Sequence, residues 1–151
     1  MNVGEAAKAN PGPAGGGGVI RGHLGNWILG FAANFGTCSS RKAELLALLK
    51  GLRLARQRGS QVAIRKVLEP LKDGQIHHQI IKECQQLIRL QDWVVKITHC
   101  FREANKVADH LANMRVDQNE LFVSFDSPSI LLILDLVEDI SGVAWPRLVN
   151  S

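Results

Sequence analysis

The side chains of this sequence that could do chemistry are few and widely separated. Two carboxylates stand inside helix-like patterns, Glu44 in "RKAELLALLK" and Asp109 in "VADHLA". Early in a helix a glutamate is favoured by the helix dipole whatever else it does, so Glu44 alone is compatible with a local role. Asp109 asks for more, because an aspartate set between apolar helix positions is costly to bury without a ligand. His99 ends an apolar run ten residues before Asp109. A half-exposed strand-end histidine and one that moves protons are both compatible with that place. His77 and His78 adjoin, but no third ligand is spaced to join them, which suits a helix start rather than a metal site. Arg41, Lys42, Arg65 and Lys66 could line a phosphate-contacting groove or form a solvated face.

These residues need elements to position them. "NPGPAGGGG" (10–18) reads as a turn or loop. Two apolar runs, Gly18–Arg21 and Trp27–Ala33, flank "GHLGN" as the arms of a β-hairpin. Ser39 or Ser40 can cap a helix from Arg41 to Arg58, whose Leu45, Leu48, Leu49, Leu52 and Ala55 form one buried face, with Gly59 ending it. A short strand at Gln61–Ile64 follows, then a helix from His77 to Leu90. "DWVVKITHC" (92–100) reads as a strand and "EANKVADHLANM" (103–114) as a third helix. The order β, β, β, α, β, α, β, α implies an α/β (α+β) fold, a mixed sheet flanked by helices. Residues 117–151, apolar in places yet broken by "DSPS" and "AWPRLVN", read as a C-terminal appendage on a domain spanning residues 1–116. Such an appendage can pack on the domain or on a protein partner.

Composition sets the outer limits. With 151 residues, 46% hydrophobic and 21% charged, the chain is of one-domain size and ordinary globular make-up. The longest apolar run, Ile130–Leu134, is far too short to span a bilayer, and the first residues lack the pattern of a signal peptide. Cys38, Cys84 and Cys100 are odd in number and without a CxxC pair, which suits reduced thiols in a nuclear or cytoplasmic, non-secreted protein. A net charge of +4 permits a polyanionic partner without requiring one.

Taken in order, four passages resemble ribonuclease H, and most closely the retroelement-derived RNase H-type domains of plants. "KANPGPAGGGGVIR" resembles the glycine-proline loop after the first strand. "GNWILGFAANFGTCSSRKAELLALLKGLRLA" is similar to the hairpin and first helix, with Glu44 in the "AEL" position. "WVVKITHCFREANKVADHLA" resembles the last core strand, histidine-bearing loop and final helix. "FDSPSILLILDLVEDISGVAWPRLV" resembles the tail that follows in such plant sequences. The resemblance implies a ribonuclease H-like mixed sheet of about five strands, three antiparallel and then parallel. It also implies an endonuclease that cuts the RNA strand of an RNA–DNA hybrid. Two Mg²⁺ (or Mn²⁺) ions about 4 Å apart would activate the water and stabilise the leaving oxygen. Four carboxylates would hold them, since Mg²⁺ prefers hard oxygen ligands.

Two of the four match. By the resemblance Glu44 and Asp109 are catalytic metal ligands, and His99 is the loop histidine that assists proton traffic or product release. Asn10, Ser40, Arg41 and Asn105 fall at nucleic-acid-contacting positions. The first-strand aspartate falls on Gly4. The fourth-strand aspartate falls within "IRKVLE" (64–69), among Arg65, Lys66, Val67 and Leu68. The resemblance thus implies a nucleic-acid-binding domain, on RNA–DNA hybrid or double-stranded RNA, with hybrid cleavage weak or lost. The alternative is a non-catalytic nucleic-acid-binding or protein-interaction remnant of a retroelement. Glu5 beside Gly4 should aim at the opposite face of its strand unless a bulge or one-residue slip brings it round. Glu69, constrained by Pro70, could swing in only if the shortened region is rearranged. The fourth-strand region reads as shortened and the first strand as truncated, beginning only three residues before Gly4, as in a fragment or an eroding copy.

Overall fold

The computed structural model of the chain describes residues 1–22, 24–58, 62–65, 77–90, 95–98, 105–116 and 121–141. Along them run β1 (Asn2–Ala7), β2 (Gly12–Arg21), β3 (Trp27–Cys38), α1 (Ser40–Gln57) and β4 (Val62–Arg65). Then come α2 (His78–Arg89), β5 (Val95–Thr98), α3 (Lys106–Asn113), β6 (Phe122–Phe125) and α4 (Ile130–Ser141). The strands form one sheet in the order β5-β4-β1-β2-β3-β6. β1, β2 and β3 pair antiparallel, while β4 joins β1 and β5 joins β4 in parallel. The mixed sheet implied by the element order is therefore present, with β1 inside it.

Each face of the sheet has its own core. Val3, Ile20 and Phe31 pack with Leu48, Leu49 and Leu52 of α1 and Cys84 of α2. Val19 and Ala32 pack with Val107 and Leu111 of α3 and Leu132 of α4. Val19 and Ile20 are consecutive, so strand alternation sends them to opposite faces. Helices α1 and α3 consequently lie on opposite sides of β1. The apolar stripe of α1 is the one read from the sequence, and Ser39 is its cap, its Oγ accepting from Lys42 N at 3.2 Å. The helix read over 103–114 covers Lys106–Asn113, with 103 and 104 outside the described residues.

The glycine-rich stretch departs from the sequence reading. Expected as a loop over 10–18, it is strand from Gly12 onward. Glycine weakens a strand on propensity, but here it supplies room for close approach. A Cβ on Gly17 would lie 2.5 Å from Ala112 N, and one on Gly16 would lie 2.4 Å from the Phe35 ring. The backbone of α3 thus rests directly on one face of β2, and an aromatic ring lies against the other. Local propensity has no access to this, because the neighbours come from remote segments.

The sheet also gains a strand beyond the five or so expected. β6, the four residues "FVSF", pairs antiparallel with Gly30–Ala33 of β3. So short a segment carries little alternation of its own, and the exposed edge of β3 supplies the ladder that makes it a strand. Helix α4 follows and packs through Leu132 and Leu136 beside α3. Among the described residues no helix is long and apolar enough to cross a membrane.

The seating of α3 on bare backbone is open to measurement. Gly17→Ala places a methyl where helix backbone stands and should lower unfolding stability by about 2 kcal/mol. Urea denaturation with an unchanged m-value is the check, and a neutral substitution would show that α3 does not sit this closely.

Candidate functional site

The end of β1 opens into a cleft of about 360 Å³ lined by Glu5, Ala6, Ala7, Ser40, Asp109 and Asn113. Helices α1 and α3 pack on opposite faces, so the strand end is where residues of both can border one space. This geometry corrects the reading of Glu5. The alternation of β1 does turn it away from the side of Gly4, yet near the strand terminus both faces meet the cleft, and Glu5 lines it with Asp109.

Gly4 is buried on the α3 side of β1. A Cβ there would lie 2.6 Å from Asp109 Oδ1 and 3.0 Å from Asp109 N. The Asp109 carboxylate is therefore laid against naked strand backbone, in the space a side chain at position 4 would take. Two amides fix this arrangement. Ser40 N donates to Asn10 Oδ1 at 3.2 Å, joining the β1–β2 turn to the start of α1. Asn105 Nδ2 donates to Val3 O at 2.9 Å, joining the start of α3 to β1 one residue before Gly4. Among the described residues Asn105 Oδ1 is buried without a hydrogen-bond partner.

Glu44 stands one turn along α1 from Ser40, on the same side of the helix. It is partly buried, and its Oε2 accepts from Arg41 Nη1 at 2.9 Å. Of the residues singled out from the sequence, the structure thus brings Ser40 and Asp109 to one cleft. It sets Asn10 behind Ser40, pairs Arg41 with Glu44 on the adjoining turn, and uses Asn105 to anchor α3. Arg65 ends β4, where its backbone is in register with Asn2 and Thr98. His99, Lys66, Val67, Leu68 and Glu69 lie outside the described residues. His78 begins α2 and His77 precedes it as the cap residue. Among the described residues no group of three or more histidines, cysteines or acids is placed to hold a metal ion. With Glu44 engaged by a guanidinium, the described donors do not fit a cage for two divalent ions.

The residues that hold the helix of Asp109 in place were missed in the sequence. They are on α4. The Asp139 carboxylate is fully buried, accepts from Lys106 N and Val107 N at 3.0 Å each, and meets Arg21 Nη2 at 3.1 Å. It caps the otherwise unpaired N–H groups at the start of α3, where the helix dipole favours negative charge. Asp135 Oδ2 lies 2.9 Å from His110 Nδ1, and Glu138 pairs with Lys106. Hydrogen bonding to Glu138 raises the Lys106 ammonium above its ordinary value of 10.5. That contribution to stability is complete below this value and fades as the pH climbs through the raised one. The signal was present as acids at 135, 138 and 139 on one side of a helix, matching cations at 106 and 110 on another.

The strand order, the central β1 and the two helices meeting at its end define an RNase H-type domain. The chain belongs to the reverse transcriptase-like family, whose model matches residues 2–115. It is 34% identical over 159 aligned residues to the Arabidopsis thaliana protein named "Putative ribonuclease H protein". That match takes in 99% of this chain and 26% of the relative, so the chain spans about a quarter of its length. Among solved structures, RNase H1 of Halobacterium salinarum superposes with a TM-score of 0.69 at 25% identity, covering 77% of this chain and 95% of that one. LC11-RNase H1, solved with an RNA/DNA hybrid, gives 0.70 at 25% identity over 77% and 94%.

The α4 latch yields a stability test. Asp139→Ala leaves Arg21 without its buried partner and uncaps α3, and should lower stability by about 3 kcal/mol. Arg21→Met in the same chain should recover part of that loss. Denaturant unfolding of the two single variants and the double variant gives the coupling; strict additivity would show that the pair does not act as a unit.

Proposed function

We propose that this chain is an RNase H-type nucleic-acid-binding module that holds RNA–DNA hybrid across the cleft at the end of β1 and cleaves it poorly or not at all. One observation carries the reading: the Asp109 carboxylate rests on the backbone of Gly4, filling the space that a side chain at position 4 would need. In the reading by family resemblance, position 4 is where the first-strand aspartate would stand. The hybrid held by LC11-RNase H1 supports the choice of ligand.

The electrostatics point the same way. Mg²⁺ would supply water activation and charge neutralisation, with Glu44 and Asp109 as its candidate ligands. An ion–carboxylate pair about 4 Å apart contributes on the order of 4 kcal/mol at an effective dielectric near 20. The two partners that the resemblance places at Gly4 and within 64–69 are absent from the sequence, and Glu5 returns at most one such contribution to the cleft. Arg41 competes for Glu44, so two-ion occupancy falls steeply. Beside the carboxylates of Glu5 and Asp109, the cleft keeps groups suited to contacting a backbone. Ser40 and Asn113 offer neutral hydrogen-bonding groups beside the guanidinium of Arg41, and phosphate contacts of this kind dominate affinity. Asn10 and Asn105 act one step back, by fixing the helix starts.

Binding and cleavage of an end-labelled hybrid, measured separately, test the proposal. The wild-type chain should bind hybrid at low salt, with log affinity falling linearly against log salt concentration. Its cleavage in Mg²⁺ or Mn²⁺ should not exceed that of a Glu44→Gln/Asp109→Asn variant. Turnover abolished by those substitutions would overturn the crippled-site reading, and failure to bind at low salt would overturn the ligand. Gly4→Asp should restore no cleavage and should cost about 2 kcal/mol of stability, because its side chain needs the volume that Asp109 fills.

A further inference from the structure

We infer that the outer face of α4 is a self-association surface through which two copies of this chain pair about a two-fold axis. The sequence of α4, "ILLILDLVEDIS", is apolar on both sides. Its inner side is accounted for by Leu132, Leu136 and the three acids directed at α3 and Arg21. Its outer side carries Ile130, Leu131, Ile133, Leu134 and Val137, exposed by 85, 72, 44, 75 and 58%. Positions 130, 133, 134 and 137 follow the spacing of one helical face, so these side chains form a continuous stripe. Scattered exposed leucines are ordinary, but a contiguous apolar stripe on the outer side of a helix already packed through its inner side is the pattern of a helix covered on both sides.

The chemistry of the stripe selects the occupant. Helix α4 has no lysine or arginine, so it offers nothing to nucleic-acid phosphates or to an anionic bilayer. Of its three acids Asp139 is buried, while Asp135 and Glu138 are partly exposed but paired with His110 and Lys106 of α3, so the charge at the border of the stripe is already matched within the chain. The stripe residues themselves are uncharged, so a two-fold axis through Leu134 and Ile133 brings apolar groups together with the paired Glu138 at the rim. The five side chains expose on the order of 500 Å² per copy, and a symmetric pair would bury about 1,000 Å², the lower limit for a specific interface. The latch to α3 already holds α4 rigid, which reduces the ordering cost of association. The expected result is a reversible dimer of about micromolar affinity.

Sedimentation velocity and light scattering of the full chain in reductant, from about 1 to 100 µM, test this. The expected finding is a discrete species at twice the 16.6 kDa chain mass, its fraction rising with concentration. Leu134→Glu should weaken association about a hundredfold or more with an unchanged unfolding midpoint. Leu24→Glu, in the exposed β2–β3 turn, should leave it intact. A monomer throughout the range would overturn the inference and leave the stripe to another protein or to the chain's own following residues. A dimer that survives Leu134→Glu, equal loss with Leu24→Glu, or open-ended aggregation in place of a discrete species would overturn it as well.

Discussion

The close seating of α3 on the sheet is the constraint from which the rest of the molecule follows. At Gly4, Gly15 and Gly17 an added Cβ would meet α3 atoms at 2.5 to 2.7 Å. Three strand positions that in most sheets would bear side chains are bare, and the helix settles onto the backbone. Packing density in protein interiors leaves no slack for a helix to sit that low unless the space is empty beneath it. The position of Asp109 is thereby set. Its carboxylate is laid against the strand backbone at Gly4, because the gap a side chain would fill is closed.

Low seating would leave the start of α3 exposed to a cost, since its first N–H groups must find acceptors. Asp139 answers this from α4, and Asn105 ties the same helix end to Val3 O. The buried Arg21–Asp139 pair depends on that arrangement. A carboxylate removed from water is tolerable when two backbone donors and a guanidinium surround it, and costly when any one is withdrawn. The C-terminal residues up to α4 are thus coupled to the cleft through one helix.

The cleft that results is better at holding than at cutting. Carboxylates crowd together only where cations neutralise them, and cations remain only where enough carboxylates gather. The Glu44 carboxylate is paired with the Arg41 guanidinium on the adjoining turn of α1. Ser40, Asn113 and the nearby Arg41 can meet a phosphodiester backbone, while Glu5 and Asp109 in the same cleft set where its phosphates cannot sit without a cation.

Much of this was legible without coordinates. The spacing of Leu45, Leu48, Leu49 and Leu52 determined α1 and its buried face, because helical periodicity is local. Ser39 or Ser40 marked its start, and the apolar runs around "GHLGN" marked the hairpin. The order of elements implied the mixed sheet, and the types and order of the residues implied the RNase H-type class. Only tertiary structure turned "GPAGGGG" into strand, since glycine's value there is the room it leaves for Leu111, Ala112 and Phe35 from distant segments. Only tertiary structure made "FVSF" a strand and Asp139 a helix cap, because a sheet edge and an uncapped helix are partners no local pattern can anticipate. A sequence specifies what each residue can offer, and the fold decides which neighbour takes it up, since burial and close approach are properties of pairs.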